Sequence, residues 1–72
     1  MTDLQQKIGG KIKKLRIEKK MSQRQLALEC DFEKAGMSRL EGGLSNPTLR
    51  TLVKISTALG VPIEDLFKHE SN

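Results

Sequence analysis

The apolar positions of this chain recur every three or four residues and nowhere alternate with period two, so the pattern predicts helices and no strand. Leu4, Ile8, Ile12 and Leu15 follow at spacings of four, four and three, which puts them on one face of a helix over residues 3–19. Ser22 and Gln25 then stand three apart. That is the spacing of a capping box, in which the serine hydroxyl accepts the glutamine's backbone amide and the glutamine side chain accepts the serine's. A second helix is expected over about residues 22–30, carrying Leu26, Ala27 and Leu28, too short to be stable without tertiary packing. Asp31 and Phe32 interrupt the pattern, with Asp31 at a left-handed turn position that Asp tolerates better than most residues. A third helix is expected over about residues 33–41, ended by Gly42 and Gly43. After a loop, Thr48 caps a fourth helix on which Leu49, Leu52, Val53, Ile55, Ser56 and Leu59 share one broad face. Gly60 stops it, and Pro62 suits the first turn of a short fifth helix that brings Ile63, Leu66 and Phe67 to the core or to a partner. The expectation is an all-α fold of five helices forming a single domain over residues 1–72, with no repeats or linkers.

Composition narrows the function classes. With 72 residues, 36% apolar and 31% charged, the chain has the make-up of an ordinary small globular domain rather than a disordered one. No run approaches the roughly 18 apolar residues of a membrane span, and the start lacks the apolar stretch of a signal peptide, so a cytoplasmic protein without membrane contact is expected. Cys30 is the single cysteine, which leaves neither an intrachain disulfide nor a cysteine-based zinc site. The one histidine, His69, lies in the tail and reads as solvated. Without a second histidine, a Cys–His pair or a glycine-rich phosphate loop, nothing assembles a catalytic centre, and neither an enzyme nor a cofactor or metal is expected.

Charge is unevenly distributed. Residues 1–40 hold ten Lys/Arg against five acids, a balance of +5, whereas residues 41–72 hold three against four, a balance of −1. The basic end is the one suited to a polyanion. The lysines and arginines between Lys7 and Arg24 fit a solvated helix face equally well, so charge alone does not decide.

The order and spacing of IGGKIKKLR, MSQRQLA, MSRLEGG, NPTLRTLVKISTALGV and IEDLF carry more information. Through these segments the chain resembles, from Ile8 to Phe67, the Xre family of helix-turn-helix transcription regulators that includes the phage Cro and lambda-type repressors. In size it is similar to restriction-modification controller proteins. The resemblance implies that Ala27 is the small residue where helices 2 and 3 cross, that Met37 and Leu40 anchor helix 3, and that Phe32 closes the turn. At 100° per residue Met37 and Leu40 lie on one side of helix 3, and Lys34, Ala35, Ser38 and Arg39 on the other. In a recognition helix those four would face the major groove.

Lys34 and Arg39 are then the donors for base edges, since such side chains pair most readily with guanine O6 and N7. Ser38 suits a base or a phosphate, and Ala35 a thymine methyl. Gln23 matches a family position that contacts phosphate, and Arg24, Ser45 and Asn46 are further phosphate candidates; such contacts position a protein without reading sequence. Each of these residues could instead be an exposed helix or loop residue without a partner. Arg16 and Glu41 fall where the family often has a partly buried ion pair, and Cys30 where a small buried residue is usual, so inert packing is favoured there over redox sensing. Asp31, Lys20 and Gly36 depart from the usual pattern, the first two standing where Gly or Asn, and Gly, are common.

One recognition helix reads only four or five base pairs, too few to find a site among a genome's competitors. A homodimer on double-stranded DNA with a near-palindromic operator is therefore expected, and the resemblance implies an interface at Val61, Ile63, Leu66 and Phe67. The leading expectation is a repressor or activator. The alternative from another class is an antitoxin whose main partner is a protein toxin, although only five residues follow Phe67.

Overall fold

The computed structural model describes residues 3–68, arranged as α1 (Asp3–Glu18), α2 (Gln23–Glu29), α3 (Lys34–Glu41), α4 (Leu49–Leu59) and a closing 3-10 helix, Ile63–Phe67. His69 lies outside the described residues. The capping box forms as the spacing requires, with Gln25 N–H donating to Ser22 Oγ at 3.0 Å and Ser22 N–H to Gln25 Oε1 at 2.8 Å. Thr48 likewise caps α4, accepting the Thr51 amide at 3.2 Å.

All four α-helices end alike. Lys20 (φ 60°), Asp31 (54°), Gly43 (76°) and Gly60 (72°) each take the left-handed conformation. In each case the amide of the next residue reaches back five positions, from Met21 to Arg16, Phe32 to Ala27, Leu44 to Arg39 and Val61 to Ser56, at 2.8–3.0 Å. This 6→1 bond, with its accompanying 5→2 bond, satisfies carbonyls that the helix end would otherwise orphan. Glycine meets the left-handed requirement at two ends, while lysine and aspartate meet it with some backbone strain.

The core is built from one side of every helix: Ile8 and Ile12 from α1, Leu26 and Ala27 from α2, Met37 and Leu40 from α3, Leu52, Ile55 and Leu59 from α4, and Leu66 from the closing turn. Helix α3 packs on both α1 and α2, and α4 on α2 and the closing turn. The short helices, unstable alone, are thus held by burial worth roughly 1.5–3 kcal/mol per large apolar side chain.

Three expectations need correction. The fifth element is a 3-10 helix of five residues, because the span between extended Pro62 and extended Lys68 closes with i→i+3 bonds such as Asp65 N–H to Pro62 O at 2.9 Å. Leu4, on the expected apolar stripe, is 52% exposed and lines a hollow beside Phe67 rather than the core. Leu49 and Val53 are 69% and 47% exposed. On the helical projection of α4 the buried Leu52, Ile55, Ser56 and Leu59 span an arc of about 100°, and Leu49 and Val53 both fall beyond the same edge of it. The apolar face of α4 is wider than the core it covers.

A candidate nucleic-acid interface

Helix α3 carries the candidate site, and its two sides differ completely. The inner side is clamped by α1 and α2 through buried Met37, Leu40 and Glu41. Gly9 makes this approach possible: a Cβ there would collide with the Leu40 carbonyl oxygen and come within 2.8 Å of that of Glu41. Gly43, at the end of α3, also lies close to α1, where a Cβ would come within 2.8 Å of Gln6 Cγ. Gly36 faces the Phe32 ring at 3.3 Å from where its Cβ would be, which gives the departure at Gly36 a packing reason.

A buried charge pair completes the clamp. Arg16 Nε donates to Glu41 Oε2 at 2.7 Å and Arg16 Nη2 to Glu41 Oε1 at 3.1 Å. Both residues are less than 10% exposed. Arg16 Nη1 also donates to the Met21 carbonyl at 2.8 Å, so one guanidinium joins α1, the α1–α2 turn and the end of α3. The fork geometry of arginine suits such multiple bonding.

Lys34, Ala35, Ser38 and Arg39 all lie exposed on the outer side. Among the described residues the side chains of Lys34, Ser38 and Arg39 have no hydrogen-bond or ion-pair partner. The result is a contiguous polar, cationic strip on a helix whose position is fixed from behind.

The phosphate candidates are less uniform. Arg24 and Asn46 are exposed. Gln23, half-buried at the start of α2, is engaged within the protein, donating from Nε2 to Glu41 Oε1 at 3.0 Å. The Ser45 hydroxyl is buried without a partner among the described residues, so a phosphate contact from it requires the side chain to turn outward. Cys30 is buried in the core. Burial, followed by the neighbouring Glu29 carboxylate, pushes its thiol pKa up, which suits packing rather than nucleophilic chemistry.

Of the residues expected at a dimer interface, Leu66 is 0% exposed. It belongs to the monomer's core, because the 3-10 turn directs it inward against α1 and α4. Val61 and Ile63 are half-buried against the same core, and Phe67 is 42% exposed. The structure also reveals a surface that periodicity did not single out. A hollow of about 180 Å³ is lined by Leu4, Ile8, Pro47, Leu52 and Phe67 among others, and on α4 the exposed Leu49 and Val53 lie to one side of Leu52.

The sequence from residue 12 to residue 66 matches the family described as Helix-turn-helix. The chain belongs to the helix-turn-helix family. This helix-turn-helix protein is 40% identical over 68 residues to the control protein C.MunI of a Mycoplasma species, covering 93% of this chain and 92% of that one. It is 44% identical over 59 residues to the control protein C.BamHI of Bacillus amyloliquefaciens, covering 81% and 73%. Among solved structures it resembles the restriction-modification controller protein C.AhdI of Aeromonas hydrophila, with a TM-score of 0.84 and 31% identity over 86% of this chain and 94% of that one. It also resembles the controller protein C.Esp1396I, solved as a tetramer in complex with its natural 35 base-pair operator, with a TM-score of 0.80 and 29% identity over 94% and 100%. Among the described residues no helix is long and apolar enough to cross a membrane.

Proposed function

We propose that this protein is a sequence-specific, double-stranded DNA-binding transcription regulator of the control-protein kind, acting in the cytoplasm as a homodimer on a near-palindromic operator. The observation that carries this reading is the unpartnered outer strip of α3. Lys34 and Arg39 donate to base edges, Ser38 to a base or phosphate, and Ala35 packs against a thymine methyl. Gln23, Arg24 and Asn46 contact the DNA backbone and fix the docking register. The whole chain serves as one DNA-binding unit, and no residue is assigned a catalytic role.

A second copy of the chain covers the apolar surface formed by Leu4, Leu49, Val53 and Phe67. Exposed apolar side chains, with Leu4 and Phe67 lining one hollow, are what a partner would bury, and pairing doubles the number of base pairs read. Two recognition helices about 34 Å apart would enter successive major grooves. The tetrameric state of the C.Esp1396I operator complex supports this reading of its relative. No observation favours an antitoxin.

The test is binding to selected and random duplexes across a salt series, with sedimentation of the free protein. Selected DNA is expected to bind at least about a thousandfold more tightly than random DNA, and log affinity to fall with log salt by about 0.9 per phosphate neutralised. A monomer at high micromolar concentration both with and without operator, or equal affinity for every duplex, would rule the reading out.

A further inference from the structure

We propose that Glu41 is a positioning residue for the DNA backbone contact: its buried carboxylate holds the Gln23 side-chain amide so that the second Nε2 hydrogen is presented outward to a phosphate. The inference rests on the reading of Gln23 as a phosphate contact. It adds a function to an ion pair that otherwise serves only the fold.

The Glu41 carboxylate receives three bonds from two elements, two from Arg16 on α1 at 2.7 and 3.1 Å and one from Gln23 on α2 at 3.0 Å. Gripped by both Arg16 nitrogens, it cannot rotate. A primary amide carries two donor hydrogens and one acceptor oxygen. Only the nitrogen end can face a carboxylate, because the amide oxygen there would set two acceptors against each other. Glu41 therefore selects one of the two amide orientations and leaves the second hydrogen free. The backbone beneath is fixed as well, since Arg16 holds the Met21 carbonyl at 2.8 Å and the Ser22–Gln25 capping box brackets Gln23. An unanchored surface glutamine would have to surrender its rotamer freedom on binding, a loss of up to about tenfold in affinity that anchoring in the free protein avoids.

The decisive variant replaces the ion pair by apolar residues, Arg16→Met with Glu41→Leu, an exchange that commonly leaves stability unchanged or raised. Melting temperature and affinity for several unrelated duplexes are measured for this pair, for Gln23→Ala, and for all three changes together. The folded pair variant is expected to bind every duplex about five- to tenfold more weakly, by the same factor as Gln23→Ala, with the triple variant no weaker. The salt slope stays unchanged because glutamine neutralises no phosphate. A folded pair variant with full affinity, or one in which Gln23→Ala still exerts its whole effect, overturns the proposal. Wild-type protein that binds no duplex would overturn the functional reading itself, a distinguishable result. Should the pair variant not fold, the Gln23 side-chain amide is followed by NMR in the wild-type chain. One proton shielded from exchange and close to Glu41 before DNA is added, and the other shifting when it is added, supports the proposal. Two protons that both exchange rapidly with solvent, neither of them close to Glu41, overturn it.

Discussion

The two sides of α3 are separated by the width of one helix, and they obey opposite rules. On the inner side every polar atom of Arg16 and Glu41 that forms the clamp is paired, and backbone approaches backbone so closely that Gly9 leaves no room for a methyl group. On the outer side Lys34, Ser38 and Arg39 have exposed side chains without partners among the described residues. Donors left free on an immobile support can recognise a rigid duplex without first paying to order the helix that carries them. The comparison separates the support from the readout: removing one member of the inner clamp should destabilise the fold, and changes on the outer side should alter only what the protein binds.

The largest effect is expected at Glu41. Glu41→Ala leaves the Arg16 guanidinium, 8% exposed, as an uncompensated buried charge, and removing one partner of such a pair costs roughly 3–5 kcal/mol. For a chain of 72 residues with a total stability of about 4–11 kcal/mol, that is a substantial part of the whole. Chemical denaturation of the variant should show it directly. A denaturation midpoint equal to wild type would mean that the inner side is not what holds α3.

Adjacent glycines sharpen the comparison. Gly9→Ala thrusts a Cβ against the Leu40 and Glu41 carbonyls and should destabilise by about 1–3 kcal/mol. At Gly10 a Cβ meets nothing within 4 Å, so Gly10→Ala should stabilise by up to about 1 kcal/mol through helix propensity alone. Thermal melts of the two variants should move in opposite directions. A matching shift at both positions would contradict the close α1–α3 approach.

Arg39→Ala addresses the outer side. Its stability should stay within about 0.5 kcal/mol of wild type, while discrimination at one operator base pair should weaken by about 1–3 kcal/mol. Competition binding with operators altered one position at a time measures this. A uniform loss on all sequences would make Arg39 a phosphate contact rather than a base reader.

How far the sequence reveals this arrangement depends on the range of the interaction. The capping box at Ser22, the cap at Thr48, the left-handed Asp31 and the stop at Gly60 are set by residues within a few positions of one another, and all are legible. So is the outward strip of α3, because it follows from the helical period once Met37 and Leu40 point inward. The bond from Gln23 to Glu41 spans 18 positions, and no local pattern encodes it. The Gly9–Gly10 pair inside a helix was a usable signal of close packing, since glycine there is otherwise unfavourable, but it does not say which glycine is contacted. Periodicity shows that the α4 face is apolar. It does not show how much of that face the rest of the chain can cover, which is why Leu49 and Val53 emerge on the surface.

The smallest effect is expected where local backbone, rather than either side of α3, is under test. Lys20 and Asp31 occupy left-handed positions with φ of 60° and 54°, a conformation that costs an L residue roughly 1–2 kcal/mol. Glycine removes that strain but adds about 0.5–1 kcal/mol of chain entropy to be lost on folding, so the two nearly offset. Lys20→Gly should stabilise by a few tenths to about 1 kcal/mol, and Asp31→Gly by less, because aspartate tolerates this region better than lysine does. Lys20 sits in the α1–α2 turn directly before Met21, whose carbonyl Arg16 holds, so relieving strain there should leave the clamp in place. Affinity for random duplex and its salt slope provide the control. If Lys20→Gly raised the melting temperature yet flattened that slope by about one phosphate, the lysine would be a backbone contact, and the interface would extend from the outer side of α3 to the end of α1.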